Sequence, residues 1–488
     1  MILRTRAVLA ALLVLAVWTP VRSVWAHGLI GHIHVTGWAI ENLPPGELRS
    51  LFDDPDVFRA ALTGAMFPDT GYPLNNPAAR EYAEYAHWEP FIQRFIQHVR
   101  ETYGPTYDTK EERMLVAFLL GAASHGLQDE LFDSTFLYEV EERDGPSQEV
   151  TDPGTDGFLV LDGFFRLLPA DYLPTEEVVP LFGVLNQPID SALIASQVQV
   201  VRNIYVNDNV GLRVAANYGQ RARAQIPWAA ANYLDPGVPG CHGAEVEPTM
   251  RHIQALWERL NDRFDEASDL LVHQWPDAPR RLRSGDHTKV ASWITFVLGK
   301  GIQEGSATTS LKDESGTAVP YHLRYTRWGG TSRIIRFQPD ADLVAGATYT
   351  ATLEPGAQMI DGSTTAEAHS VTFQVECEDP NDPACPPVVV EDDPQVVPGT
   401  PAATPTATRT ATMTIAVATA TPTPPPTAAC AGDCDAGGSV TVDEVIRGIN
   451  IMLGESSLDE CRRLDASGDG AITVDELVTA VTHILLGC

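Results

Sequence analysis

Three patterns in a chain of 488 residues predict a multidomain protein: an all-α bundle, then a β-sandwich, then a small α module built on a duplicated acidic loop. The first is the apolar stretch Met114 to Leu120, which runs on into Ser124 to Asp129. A surface that is apolar all round marks a helix buried at the centre of a bundle. The second is period-two alternation of β-branched residues after Pro276, split by turn residues. The third is a pair of acidic loops near the C-terminus, each leading into an apolar helix. The length also exceeds what one ordinary core holds.

Taken in order, Arg4 and Arg6 precede the apolar run Ala7 to Trp18 and the small-residue end Val24-Trp25-Ala26. This is the pattern of an export signal over residues 1–26, and cleavage would leave His27 with a free α-amino group. A neutral amine and an imidazole are both metal donors, so cutting there would complete a site that the precursor lacks. Residues 27–275 read as mostly helical, with Met250 to Leu260 near the end. Within them, His32, Asp69, His87, His125 and Asp129 are side chains suited to a metal. His125 and Asp129 are four apart and so share a helix face, and Asp133 continues the stripe. His34, His98 and His252 read as packed or solvated residues. Asp152-Pro153-Gly154 is as much a turn sequence as a ligand segment.

The blocks Gly28 to His32, Gly64 to Asp69, Ala86 to Phe91 and Leu115 to His125 resemble, in this order, the zinc-dependent phospholipase C family. That family is related to secreted single-strand-specific nucleases and to the N-terminal domain of glycosylphosphatidylinositol-specific phospholipase D. The similarity runs from about His27 to Asp156 and fades toward Trp275. It implies one Zn²⁺ on Asp69, His87, His125 and Asp129, and a second on His27, His32 and Asp129, with Asp129 as the bridge. It further implies phospholipid hydrolysis by metal-activated water, with Asp69 and Asp129 at the catalytic centre. Relatives supply two histidines and a carboxylate to a third ion, where this chain has Asp133, Asp152 and Asp156. Oxygen-only sites suit a hard divalent ion, so this position either holds one or stands empty.

Residues 276–378 carry the strand runs Trp293–Val297, Arg333–Phe337, Thr348–Leu353 and Ser370–Val375. They resemble bacterial Ig-like modules, and with no ligand constellation a spacer or adhesion role is expected. Residues 379–429 read as a linker, a Pro/Thr/Ala tract with few large apolar residues that is not expected to form a core. In residues 430–488, Asp433, Asp435, Ser439, Thr441 and Glu444 stand at Ca²⁺-ligand positions of one loop, and Asp465, Ser467, Asp469, Ala471, Thr473 and Glu476 at those of the next. The second loop has the fuller set. The module resembles a dockerin-type or paired EF-hand domain, which implies a cohesin-like or surface partner. Cys377 with Cys385, and Cys430, Cys434, Cys461 and Cys488, form even sets that suit disulfides, the pairing of the last four being open; Cys241 is left over.

The net charge of -32, with no Lys/Arg cluster between His27 and Val200, disfavours a polynucleotide and favours a phospholipid or another small phosphodiester. After the leader no apolar run is long enough to span a bilayer. The expectation is a secreted, extracellular or cell-surface zinc phosphodiesterase. A single-strand nuclease on the same site and a non-catalytic, metal-stabilised binding module are the alternatives.

Overall fold

A computed structural model describes residues 28–72, 76–164, 167–202, 210–276, 281–282, 287–289 and 292–376, and toward the C-terminus 431–434, 440, 444, 447–448, 451, 457–466, 468, 470, 472, 476 and 479–480. His27, the leader, the linker, Cys377, Cys385, Cys430 and Cys488 lie outside these, as do the loop residues Asp435, Ser439, Thr441, Ser467, Asp469, Ala471 and Thr473. Described residues up to 376 belong to one compact unit and those from 431 onward to another.

The first unit begins with α1 (Leu29–Glu41), α2 (Glu47–Leu51), α3 (Pro55–Met66), α4 (Pro77–Ala86), α5 (Glu89–Tyr103) and α6 (Lys110–Leu131). The apolar run becomes α6. Thr109 caps it by accepting from the Glu112 amide, and Glu112 reaches back to the Thr109 amide. This reciprocal pairing satisfies two otherwise orphaned donors. From Leu115 to Leu131 every residue of α6 is buried, as expected of a helix with no polar face. α3 lies directly against it because two glycines permit it. A Cβ on Gly64 would fall 2.0 Å from the Phe118 carbonyl oxygen, and one on Gly121 would fall 1.9 Å from that of Ala61. That approach brings the Ala65 carbonyl to His125.

α6 passes into one wide π turn, Phe132–Phe136, and then into α7 (Leu137–Arg143). α8 (Gln148–Leu161), α9 (Thr175–Val184), α10 (Ser191–Arg202), α11 (Val210–Gln225), α12 (Pro227–Asn232), α13 (Val246–Leu260) and α14 (Glu266–Asp269) complete the helical layer. α8 contains Pro153, which cannot donate to the Glu149 carbonyl one turn back. The Tyr218 hydroxyl on α11 donates to that carbonyl instead, at 3.2 Å. Asp152-Pro153-Gly154 is therefore helix here, not a turn.

Strand β1 (Leu271–Trp275) begins ahead of Pro276, where the sequence pattern changes. With β3 (Ile294–Gln303), β6 (Thr331–Pro339) and β5 (Tyr321–Trp328) it forms an antiparallel sheet ordered β1-β3-β6-β5. The second sheet has the order β2-β8-β7-β4, from β2 (Arg281–Leu282), β8 (His369–Val375), β7 (Thr348–Leu353) and β4 (Thr309–Asp313); in it β2 pairs parallel to β8. Phe296, Ile335 and Phe337 of the first sheet share a core with Tyr349, Ala351 and Phe373 of the second. The first sheet also packs outward: Val297 and Ile334 meet Leu127 and Leu131 of α6 and Ala255 of α13. The sandwich is thus laid directly on the helix that carries the ligand candidates.

In the second unit Cys434 and Cys461 form a disulfide, and Val440, Leu464, Ile472 and Ala480 pack with Cys461. The Cys434 amide donates to Glu444 Oε1 at 2.6 Å and the Gly470 amide to Asp465 Oδ2 at 3.0 Å. Gly470 has φ of 89°, which a glycine adopts without strain.

Candidate metal centre

α6 carries His125 and Asp129 one turn apart on one face. α1 supplies His32, the 3₁₀ turn Pro68–Gly71 after α3 supplies Asp69, and His87 ends α4. All five are buried. His32 Nε2 lies 3.1 Å from Asp129 Oδ1 and 4.0 Å from Asp69 Oδ2. His87 Nε2 lies 3.2 Å from Asp129 Oδ2 and 3.4 Å from Asp69 Oδ1, and His125 Nε2 lies 3.4 and 3.5 Å from the same two oxygens. Among the described residues, two overlapping groups bring their ligand atoms within 4.8 Å of one another: His32, His125 and Asp129; and Asp69, His87 and His125.

The far side of each ring is already tied. Nδ1 of His32 faces Gln128 Oε1 at 2.9 Å, that of His87 the Ala83 carbonyl at 2.6 Å, and that of His125 the Ala65 carbonyl at 2.6 Å. Each partner is an acceptor, so each Nδ1 carries the proton and each Nε2 presents a lone pair. Gln128 is oriented in turn by its amide nitrogen, which donates to Thr36 Oγ1 at 3.0 Å. Gly126 is what lets the His87 segment reach α6, since a Cβ there would fall 1.9 Å from the His87 carbonyl oxygen.

Apart from the histidine ring nitrogens, no group donates to either oxygen of Asp69 or Asp129. Burial alone would protonate Asp129, but His125 and His32 outweigh it and hold its pKa well below the ordinary 3.8; Asp69 is lowered likewise, with His125 and His87 countering burial. Burial also favours a neutral His87, yet contact with Asp129 and Asp69 lifts its pKa well above 6.5. The Nε2 atoms of His87 and His125 stand 3.0 Å apart. Without a cation, protons on the rings answer the two carboxylates, as the raised His87 pKa states; a divalent ion would displace those protons and take the Nε2 lone pairs in their place. Three Nδ1-protonated imidazoles and two carboxylates are a donor set that fits zinc. Asp129 turns one oxygen toward His32 and the other toward His87 and His125. Tyr72 walls the cluster, its ring 5.9 Å from that of His87 and its hydroxyl donating to Glu84.

Asp133, Asp152 and Asp156 join neither group. Asp156 takes the α1 N-terminus: its oxygens accept from the Ile30 and Gly31 amides at 3.0 and 2.8 Å, while burial pushes its pKa up to about 7 against those bonds. Asp133 Oδ2 accepts from the Gln148 side chain at 3.2 Å. Asp152 is fully buried with neither oxygen hydrogen-bonded. Burial first, and neighbouring carboxylates after it, raise both Asp133 and Asp152 well above 3.8.

His34 donates to the Ile30 carbonyl and is held down to about 4 by burial, His98 pairs with Glu177 at 2.5 Å, and His252 lies against Arg333; none joins the cluster. Cys241 is a buried free thiol donating to the Asp235 carbonyl. The sequence reading missed Gln128, although a lone amide in an apolar helix next to a ligand is a signal. It also missed Glu245, a buried carboxylate that burial pushes up to about 7 and whose charge is felt at His32 and Asp129. Its three-residue spacing from His242, 3.9 Å away, was the available hint.

Residues 31–130, which hold all five clustered ligand candidates, match the family model described as zinc dependent phospholipase C. Phosphatidylinositol-glycan-specific phospholipase D from Rattus norvegicus is 32% identical over 109 residues, and that from Mus musculus 31% identical over 109; each alignment covers 21% of this chain and 12% of the relative. The chain thus matches about an eighth of the length of these curated relatives. Among solved structures, CopC from Methylosinus trichosporium OB3b is matched with 16% identity and a TM-score of 0.19, covering 22% of this chain and 95% of that one. The S-layer protein rSbsC(31-844) is matched with 11% identity and a TM-score of 0.18, covering 66% and 45%. Neither likeness bears on fold or function.

Proposed function

We propose that the helical layer is a zinc-dependent phosphoric-diester hydrolase acting on phospholipids. The observation that carries this is the convergence of three Nδ1-anchored imidazoles on two buried carboxylates that no other group donates to, inside the segment matching the phospholipase family. Asp69, His87, His125 and Asp129 would hold one zinc, and His32 and Asp129, with the amine of His27 if the leader is removed, a second. When bound, the ions supply Lewis acidity for the phosphoryl oxygens and a water that ionises near pH 7. The chain's own part is to fix the rings through Gln128, Ala83 and Ala65, to balance charge with Asp69 and Asp129, and to exclude bulk water by burial. Glycan-linked phosphatidylinositol enters as a substrate class through the relatives' names.

The same reading makes the protein exported, through the leader-like residues 1–26, with the Cys434–Cys461 disulfide in keeping with an oxidising compartment. No helix among the described residues is long and apolar enough to cross a membrane. The sandwich is read as Ig-like. The C-terminal unit is read as a dockerin-like Ca²⁺ module for a surface partner, supported by the approach of Glu444 and Asp465 to loop amides.

The test is elemental analysis of the purified chain, followed by assays on phosphatidylcholine, phosphatidylinositol and glycan-linked phosphatidylinositol vesicles and on single-stranded DNA, with and without chelator. Zinc near two per chain and chelator-sensitive lipid hydrolysis are expected. DNA hydrolysis that exceeds lipid hydrolysis and falls steeply with salt would install the nuclease reading; zinc without any hydrolysis would leave a metal-stabilised binding module.

A further inference from the structure

The largest fully buried side chain of the helical layer's boundary comes from the sandwich: Arg333, in β6, is 1% exposed. The register of β6 skips it on both sides. Ile334 and Ser332 have partners on β5 and β3, and Arg333 has none. Such a bulge lets a strand re-aim one side chain out of its alternation. Here it turns a guanidinium into the helices.

That guanidinium touches both segments that carry ligands. Nε lies 3.3 Å from Glu130 Oε2, next in sequence to Asp129, and Nη1 lies 3.9 Å from Glu89 Oε2, two residues after His87. Nη1 also reaches the Ala123 carbonyl at 3.4 Å and His252 Nε2 at 3.3 Å. Nη2 stands 3.0 Å from where a Cβ on Gly126 would be, against the bare backbone that also admits the His87 carbonyl. Ala123, Gly126 and Glu130 follow the i, i+3, i+7 stripe of α6, and His125 and Asp129 lie in the same two turns. A planar fork with fixed donors suits such a many-sided brace in a way that a single ammonium does not.

We propose that Arg333 is a positioning residue for the metal cluster, holding the His87 segment and the His125/Asp129 turn in fixed relation, so that the sandwich is part of the metal-binding unit. This rests on the zinc reading above. A group that hydrogen-bonds a ligand directly is worth about 10–100-fold in metal affinity, and Arg333, which acts one residue further out through Glu130 and Gly126, belongs at the lower end of that range.

The test uses the full chain with Co²⁺ as probe, its visible absorption reporting ligand geometry and chelator competition reporting affinity. Arg333→Met should weaken Co²⁺ binding about tenfold or more and alter the spectrum, with kcat falling more than KM rises. Arg333→Lys keeps the charge without the fork and should fall between. Asp313→Asn, on a hairpin of the sandwich, should leave affinity and spectrum unchanged. If Arg333→Met folds, as judged by circular dichroism, and binds Co²⁺ like the parent, the proposal is overturned and Arg333 only joins the layers. If it does not fold, Arg333→Lys decides by the same readouts, parental behaviour again overturning it. A parent chain that binds no Co²⁺ would instead sink the metal reading itself.

Discussion

Two sets of acidic residues lie within the same helical layer, and they have different fates. Asp69 and Asp129 face three imidazoles and take no donor from outside them, whereas Asp156 is engaged by two backbone amides and Asp133 by Gln148, leaving Asp152 bare. Asp152 and Asp156 are as buried as Asp69 and Asp129, with Asp133 half-buried, so burial does not tell a ligand from a structural carboxylate. What differs is whether the surroundings have already satisfied the oxygens, and whether the neighbours can be charged positively. By that measure the first set is built for a cation. The second is partly committed to holding α1 in place.

The sharpest way to break this comparison is at Asp129. Asp129→Asn should remove both zinc ions together and lower kcat/KM by more than about a hundredfold, beyond the loss typical of an outer-shell partner. Asp69→Asn, whose carboxylate stands beyond direct reach of His32 at 4.0 Å, should cost mainly one ion. Metal content per chain and hydrolysis rate measure both. Equal single-ion losses in the two variants would remove the bridge and with it the distinction drawn for Asp129.

How far the site could be read from the sequence follows the length of its contacts. His125 and Asp129 were legible because one helical turn separates them and the apolar run declares the helix. His32, Asp69 and His87 were legible only through resemblance, since nothing in their spacing says that α1, the turn after α3 and the end of α4 meet. The role of Asp156 was not legible: its partners are amides 126 and 125 residues away, and a backbone donor leaves no trace in a sequence. Arg333 was hidden for another reason. In an alternating strand run it reads as an ordinary residue, and only the bulge reveals where it points. The strand runs themselves fell where expected in β3, β6, β7 and β8, because period two with β-branched residues needs no tertiary information.

The second set gives two effects of opposite sign. Asp156→Ala should destabilise the protein by about 1–2 kcal/mol, the range for losing a helix N-terminal acceptor, and leave zinc content unchanged. Asp152→Asn should do the reverse in chelator-treated protein. A carboxyl whose folded pKa is raised contributes most below its unfolded value near 3.8, and that contribution is lost as pH rises through the folded pKa. Asparagine does not titrate, so its advantage should grow in thermal melts as pH rises above the ordinary carboxylate value of 3.8. A lower melting temperature accompanied by loss of a non-zinc divalent ion would show that Asp152 is a ligand and place the second set beside the first.

The smallest effect is expected where a charge is fully answered by its neighbour, at Asp361 in the sandwich. Its carboxylate accepts from Lys300 Nζ at 2.8 Å and from Ser363. Burial opposes ionisation there, but these bonds outweigh it and hold the pKa at about 2 against the ordinary 3.8. For a depressed carboxylate the contribution is complete above the unfolded value and disappears as pH falls from about 3.8 through about 2. Because Asp361 is substantially exposed, solvent screening keeps the loss to about 1 kcal/mol or less. Chelator-treated protein should therefore lose that increment between pH 4 and pH 2, on top of any general acid response, and Asp361→Asn should lack it while binding zinc as the parent does. If Asp361→Asn instead lowers zinc affinity, the sandwich reaches the metal cluster by a second route, and a paired carboxylate in one layer could no longer be treated as independent of the bare ones in the other.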